Sequence, residues 1–426
     1  MLDIRFLREN PEEVGKRLAL RGTDYGDQIQ AILKCDQERR AFETRLQELN
    51  GERKRLSKEI GMIRSKGGDS TELEEQVKSF GGEIEQLNAD TSALETRQLD
   101  LLLHLPNLPH AEMPIGEDAS ANPVIREWGE KPAYDFPLAD HMEIGTRNQL
   151  FSSELAAKTS GSGFVVFTGW GARLERALIQ FMLDLHTTEH EYLEVTPPFI
   201  VRRECMVGTS QLPKFEDDMY GLEEGAMFLA PTAEVPVTNL RREEILDLQD
   251  LPLKYVAYTP CFRREAGSAG RDTRGMIRMH QFDKVELVQI VKPEESYAQL
   301  EKLTADAEHV LQLLGLHYRV IELCTGDVGF GSAKTYDIEI WAPGHGEYLE
   351  VSSCSNFEDF QARRMNLRYK DPETKKNVFC HTLNGSGTAL PRLFVALVET
   401  FQQPDGSIAI PLALQPYMRA EKIPMP

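Results

Sequence analysis

The chain of 426 residues has no C-x-x-C pair, no long apolar run and neither of the two common phosphate-binding loops. Its six cysteines, Cys35, Cys205, Cys261, Cys324, Cys354 and Cys380, are scattered. That spacing suits free thiols in a reducing compartment better than a disulfide framework or a zinc knuckle. The N-terminal MLDIRFLREN is charged and lacks an apolar core, so no secretory signal is expected. Runs such as Leu393–Val398 are far short of the roughly 20 residues that span a bilayer. A cytoplasmic setting with no membrane partner is the expectation. G-x-x-x-x-G-K-[ST] is missing, and so is a helix-opening G-x-G-x-x-G. Gly329-Phe330-Gly331-Ser332 is only a fragment of such a pattern before a strand, and it reads as a loop turn. No solenoid-length repeat or low-complexity tract is present.

What is present divides by region. At this length two or more domains are expected. The net charge of −20 argues, taken alone, against nucleic acid. Residues 1–105, however, hold 17 basic against 21 acidic side chains, so −16 of that charge belongs to the rest. Within the first region Arg53, Lys54, Arg55, Lys58, Arg64 and Lys66 face only Glu52 and Glu59. This region also carries the clearest periodicity. Leu73, Val77, Phe80, Ile84 and Leu87 begin a series at alternating spacings of four and three that runs to Leu105. Ile32, Cys35, Phe42, Leu46, Leu49, Leu56, Ile60 and Ile63 keep the same rhythm upstream, interrupted by Arg39 and Arg53. A 3.5-residue repeat keeps an apolar seam against a partner helix. Gly67-Gly68-Asp69-Ser70 separates the two runs, with Ser70 an N-cap candidate, so an antiparallel helical hairpin is expected over 1–105.

Leu105-Pro106-Asn107-Leu108-Pro109 ends the hairpin, and the Pro/Gly-bearing stretch 106–137 reads as a linker. From 138 to 426 an amphipathic helix over Ala172–Glu189 precedes a succession of strand-like segments. These lie near Leu193–Val195, Phe199–Val201, Tyr255–Phe262, Met279–Val291, Tyr318–Leu323, Asp337–Trp341 and Leu349–Ser352. Helices are expected at Pro293–Leu314 and Leu390–Phe401. Many strands with few interposed helices favour an α+β domain built on an antiparallel sheet.

Several groups in this region could carry chemistry. Thr259-Pro260-Cys261-Phe262-Arg263-Arg264-Glu265 leads into a Gly-rich loop with Arg271, Arg274 and Arg278, then into His280-Gln281-Phe282-Asp283-Lys284-Val285-Glu286. Arginines offer planar donors to a phosphate or carboxylate, and Phe282 offers a stacking face. A hairpin whose charges merely solvate an edge fits the same residues. Glu286 lies in a strand apolar on both faces, where a lone carboxylate is costly unless paired or used. Glu350, followed by Val351-Ser352-Ser353, sets a carboxylate near a hydroxyl, which suits Mg²⁺, although a surface strand fits too. Thr232-Ala233-Glu234 follows a proline and could cap a helix. Asn384-Gly385-Ser386-Gly387 precedes the helix of Arg392, where glycines permit either ligand approach or a plain turn.

In this order, these pieces resemble the seryl-tRNA synthetases, a class II family, over nearly the whole chain. The most specific segments are FRREAGSAGRDTRGMIRMHQFDKVE, CTGDVGFGSAKTYDIEIW and HTLNGSGTALPR. Pro391 stands where that family often has glycine, and Arg264 adds a charge beside Arg263. The resemblance implies ligation of L-serine to tRNA(Ser) at the expense of ATP, through a seryl-adenylate, and leaves room for tRNA(Sec) as a second acceptor. It implies a homodimer joined through the 172–189 helix and Leu193–Pro198, with the hairpin as the tRNA-binding arm. Arg263 would hold the α-phosphate and the serine carboxylate, with Arg264 beside it, Glu265 would read the adenine amino group, and Phe282 would stack on the ring. Glu350 and Ser353 would ligate Mg²⁺, Val351 and Ser352 would complete the nucleotide wall, and Arg392 would meet the γ-phosphate. Thr232, Ala233, Glu234, Glu286, Asn384 and Ser386 would surround serine. Arg263, Glu286 and Arg392 carry the catalytic expectation. An activator of amino acids for a carrier protein and a catalytically dead RNA-binding relative are the alternatives. The long arm speaks against the first, and the retained charged residues against the second.

Overall fold

The computed structural model describes residues 1–266 and 275–426, and the chain separates into two compact units. One comprises Leu2–Ala19 and Thr23–Pro106; the other comprises Met1, Leu20–Gly22 and Asn107–Pro426.

The first unit is helical. Short helices α1 (Ile4–Glu9) and α2 (Pro11–Ala19) precede α3 (Gly26–Ser65) and α4 (Thr71–Leu103), which form the expected hairpin. The seam buries Ile32, Cys35, Leu49 and Leu56 of α3 and Ile84, Thr91 and Gln98 of α4. Arg53, one of the two interruptions, stands exposed, whereas Arg39 turns toward Asp36. Asp36 is itself buried and accepts bonds from Arg8 Nη1 at 3.0 Å, Arg39 Nη2 at 3.1 Å and Gln98 Nε2 at 3.1 Å. The α3 terminus closes as a Schellman motif: Gly67, at φ 73°, donates to Arg64 O, and Gly68 donates to Ile63 O. Ser70 does precede α4, but its hydroxyl bonds Glu74, and Asp69 Oδ1 takes the Thr71 N–H at 3.0 Å instead.

The second unit is an α+β body on an eight-stranded sheet, as expected. Its strands are β1 (Val124–Trp128), β2 (Leu193–Glu194), β3 (Leu253–Phe262), β4 (Gln281–Val291), β5 (Tyr318–Glu322), β6 (Lys334–Ala342), β7 (Glu347–Asn356) and β8 (His381–Ala389). Their order is β1-β5-β6-β7-β8-β4-β3-β2, antiparallel throughout except for the parallel β2–β3 pair. Helix α5 (Gly169–Thr188) buries Leu174, Leu178, Met182 and Leu185, a stripe at helical spacing. After α6 (Glu234–Thr238), α7 (Ser296–Leu314) and α8 (Leu390–Thr400) complete the main core with the sheet's inner face.

Two segments differ from the sequence reading. The stretch 106–137, read as a linker, supplies edge strand β1, whose Arg126 donates to Glu308 at 2.8 Å. That strand is short and mostly exposed, so it leaves no hydrophobic alternation to detect. The Asn384–Gly387 glycines, read as a turn or a ligand approach, lie inside β8. A Cβ at Gly385 would come 2.4 Å from Leu303 Cδ2 and 2.8 Å from Cys354 Sγ, so this glycine makes room for α7 against the sheet.

Candidate active site

A cavity of about 790 Å³ opens over β4, β7 and β8, bounded by the starts of α6 and α8. Its floor is β4, which is buried along most of its length yet contains Lys284 and Glu286. Residues two apart on a strand share a face, and the two side chains form an ion pair in the cavity. Lys284 Nζ also donates to Thr232 Oγ1 at 2.8 Å, and Thr232 Oγ1 lies 3.4 Å from Glu286 Oε2. The same threonine oxygen accepts the Glu234 N–H at 3.2 Å, one residue before the position that caps α6, which is Ala233 and carries no side-chain cap.

Glu234 is buried nearby, with Oε1 accepting from Gln361 Nε2 at 2.7 Å. Gln361 Oε1 in turn takes the Thr382 hydroxyl at 2.7 Å, which fixes the amide's orientation. Burial, reinforced by the adjacent Glu286 carboxylate, pushes the Glu234 carboxyl up to about 7. The result is a buried pocket wall with two carboxylates and one ammonium. It is suited to a small zwitterion carrying its own cationic and hydroxyl groups.

Arginines and an aromatic ring form the adjoining wall. The Arg263 N–H donates to His280 O at 2.9 Å, continuing the β3–β4 hairpin beyond its last strand residues. Arg263 Nε donates to Pro231 O at 3.3 Å, and its guanidinium lies 5.2 Å from the Phe282 ring centre. Glu265 accepts from Arg278 Nη1 at 3.1 Å. On the far side Arg392, near the start of α8, donates to Glu350 O at 2.7 Å, with Glu350 Oε2 3.5 Å away. Arg263 and Arg392 thus share one concavity, and both retain N–H groups for a polyanion. Glu350 and Ser353 line the same wall, supplying a carboxylate and a hydroxyl that fit a hard divalent cation.

Of the residues expected here, Thr232, Glu234, Arg263, Glu265, Phe282, Glu286, Glu350, Val351, Ser353, Asn384, Ser386 and Arg392 line the cavity. Three expected residues stand off it. Ala233 is buried in a separate apolar cluster, and Arg264 is exposed with its N–H bonded to Asp218 O. Ser352 is turned to the buried side of β7, where its hydroxyl bonds Ser386 O at 2.5 Å. Arg271 and Arg274 lie outside the described residues. The sequence reading missed Lys284 and Gln361. Lys284 was detectable from its place two residues before Glu286, whereas nothing local marks Gln361. Gly329-Phe330-Gly331-Ser332 is the expected turn, closed by Ser332 N–H to Gly329 O, and it also borders the cavity.

Two family profiles match the chain. A family profile described as the seryl-tRNA synthetase N-terminal domain matches residues 1–109. One described as the tRNA synthetase class II core domain (G, H, P, S and T) matches residues 215–401. A serine–tRNA ligase of Akkermansia muciniphila is 61% identical over 423 residues, covering 99% of both chains. The seryl-tRNA synthetase of Pyrococcus horikoshii, solved with ATP, superposes with a TM-score of 0.93 at 38% identity, over 99% of each chain. The cytoplasmic serine–tRNA ligase of Naegleria fowleri, solved with AMP, gives 0.87 at 28% identity, over 100% of this chain and 99% of that one.

Proposed function

Because this chain belongs to the seryl-tRNA synthetase family, we propose that its cavity activates L-serine with ATP and passes the seryl group to tRNA(Ser). The observation that carries the reading is the convergence of Arg263 and Arg392 on one cavity beside the buried Glu234–Glu286 pair.

Serine binds with its ammonium toward Glu234 and Glu286 and its hydroxyl among Thr232, Glu286 and Ser386, while Asn384 supports the pocket. Its carboxylate lies against Arg263, which also meets the ATP α-phosphate. Adenine stacks on Phe282 with its amino group toward Glu265, and the γ-phosphate reaches Arg392. Ser352 acts from behind, through its bond to Ser386 O. Glu350 and Ser353 would hold Mg²⁺, which neutralises phosphate charge when bound. A serine carboxylate oxygen attacks the α-phosphorus, and the bond to the β-phosphate oxygen breaks as pyrophosphate leaves. The terminal ribose hydroxyl of tRNA then attacks the seryl carbonyl, and AMP departs. No covalent enzyme intermediate is needed. Positioning and charge neutralisation supply the acceleration.

The exposed basic residues of α3, Arg53, Lys54, Arg55 and Lys58, suit the helical unit to tRNA phosphates, and the same contacts would serve tRNA(Sec). Exposed Leu193 and Ile200, next to α5 in sequence, support the homodimer. Six unpaired cysteines support a cytoplasmic setting, and no helix among the described residues is long and apolar enough to cross a membrane.

The test is pyrophosphate exchange with each of the twenty amino acids. Serine alone should support it, because a site that hydrogen-bonds a hydroxyl rejects analogues lacking one by about 10⁴–10⁵. Equal exchange with alanine or glycine would refute the assignment.

A further inference from the structure

Arg21 holds one wall of the cavity through backbone carbonyls. It lies between α2 and α3 in sequence, yet Leu20–Gly22 belong to the same compact unit as the cavity. Its Nε donates to Asn107 O at 2.8 Å, and its Nη1 to Val328 O and Gly329 O at 3.1 Å each. Nη2 donates to Ser332 O at 2.7 Å. Asn107, itself buried, takes the two carbonyls in between. Its N–H donates to Phe330 O at 2.9 Å, and its Nδ2 donates to Gly331 O at 3.0 Å. The five consecutive carbonyls from Val328 to Ser332 thus depend on two residues that are bonded to each other. A turn lacks ladder partners for most of its carbonyls, and carbonyls left without donors away from water are costly.

This turn is part of the cavity wall, lined by Gly329, Phe330, Gly331 and Ser332. It is packed without slack. A Cβ at Gly331 would come 2.4 Å from Ser210 Oγ and 3.3 Å from Phe357 Cδ1. Two connections place the turn at the serine end. Along β7 the chain passes from Glu350 and Ser353 to Ser355, which pairs with Asn384, and Asn107 Nδ2 holds Phe357 O just beyond, at 2.9 Å. The Phe330 ring also lies 6.1 Å from Phe360, the residue before Gln361, whose amide bonds Glu234 Oε1.

We propose that Arg21 is a positioning residue for serine binding: it touches neither substrate, and it sets the 328–332 wall by gathering its carbonyls. This rests on the reading that serine binds among Glu234, Asn384 and Ser386. The arrangement calls for arginine specifically. A guanidinium presents five N–H groups in a fixed plane, four of them used here, whereas lysine offers a point charge with three.

Pyrophosphate exchange by the full-length protein gives the KM for serine and the KM for ATP separately, for the wild type, Arg21→Ala and Arg21→Lys. Arg21→Ala should raise the KM for serine about tenfold or more, the order expected for losing charge-assisted hydrogen bonds, while the KM for ATP stays within twofold. Arg21→Lys should keep most of that rise. Methylguanidinium added to Arg21→Ala should lower its serine KM at least threefold and leave the wild type unchanged. A serine KM within twofold of wild type in both variants overturns the proposal, and exchange that still responds to serine alone leaves the parent reading standing. Serine and ATP KM values that rise together, or a defect that methylguanidinium does not relieve, also overturn it, because they mark a general loss of structure. A wild type without serine-dependent exchange sinks the parent reading and the proposal with it. Should Arg21→Ala fail to fold, Arg21→Gln is judged on the two KM values alone.

Discussion

Lys284 and Glu286 form a buried ion pair on one face of β4, and the lysine reaches on to Thr232 Oγ1 at 2.8 Å. The pair fixes the direction of the Glu286 carboxylate inside the sheet, because Lys284 and Thr232 occupy one side of it. Glu286→Ala should reduce serine-dependent pyrophosphate exchange by at least about 100-fold, the order expected for losing hydrogen bonds to a charged group. It should also destabilise the fold by about 3–5 kcal/mol, since Lys284 is left without its counter-charge. Exchange kinetics and urea unfolding read the two effects separately, and near-normal exchange would remove Glu286 from the pocket.

Glu234 gives the site a pH dependence of definite sign. Its carboxyl is raised from 4.5 to about 7 by burial and by the neighbouring Glu286. Below pH 4.5 it is protonated in both folded and unfolded chains. Between 4.5 and 7 the unfolded chain loses its proton first, so stability falls as pH rises, and the full cost of about 3 kcal/mol is present above pH 7. Binding runs the other way, because an ammonium ligand prefers the ionised form. The KM for serine in exchange assays should therefore fall as pH rises from 6 to 8, and Glu234→Gln should flatten that profile. A wild-type profile already flat across this range would separate Glu234 from serine binding.

The parts legible in the sequence were those whose signal is local. The α3–α4 hairpin shows through because a 3.5-residue repeat recurs over many turns, and β3, β4 and α8 show through because they are long and apolar. Strand β1 does not, since five mostly exposed residues carry no pattern and the strand exists only by pairing with β5. Strand β8 was hidden by its own glycines, which resemble a turn until Leu303 and Cys354 are seen packing against Gly385. Arg264 was grouped with Arg263 by adjacency, yet neighbouring residues leaving a strand point apart, and only Arg263 meets the cavity. Gln361 comes from the short helix Phe360–Met365, so its bond to Glu234 depends wholly on tertiary placement.

Gly385→Ala tests the packing role of the β8 glycine. The added methyl would sit 2.4 Å from Leu303 Cδ2 and 2.8 Å from Cys354 Sγ, well inside contact distance. Overpacking of this kind costs about 1–3 kcal/mol. The melting temperature should fall, and KM for serine should rise because Ser386 and Asn384 flank the displaced residue. Replacing Leu303 with alanine in the same chain should restore part of both. A single substitution that leaves melting unchanged would show that the strand absorbs the methyl.

The helical unit should be dispensable for the first half-reaction and needed for the second. Every residue lining the cavity belongs to the other compact unit, so the atoms that touch serine and ATP do not include α3 or α4. Deleting residues 30–100 should therefore leave serine-dependent pyrophosphate exchange within a few-fold of the full chain, while charging of tRNA(Ser) drops to background. The basic stretch of α3 sets a finer expectation. If Arg53, Lys54, Arg55 and Lys58 each neutralise one phosphate, tRNA affinity should fall roughly 100-fold between 50 and 200 mM salt through counterion release. Replacing all four with glutamine should flatten that salt dependence and raise the KM for tRNA without altering exchange. Filter binding across a salt series, run beside charging assays, measures both quantities. Charging that survives the deletion, or a salt slope indifferent to the four substitutions, would take the tRNA-binding role away from this arm.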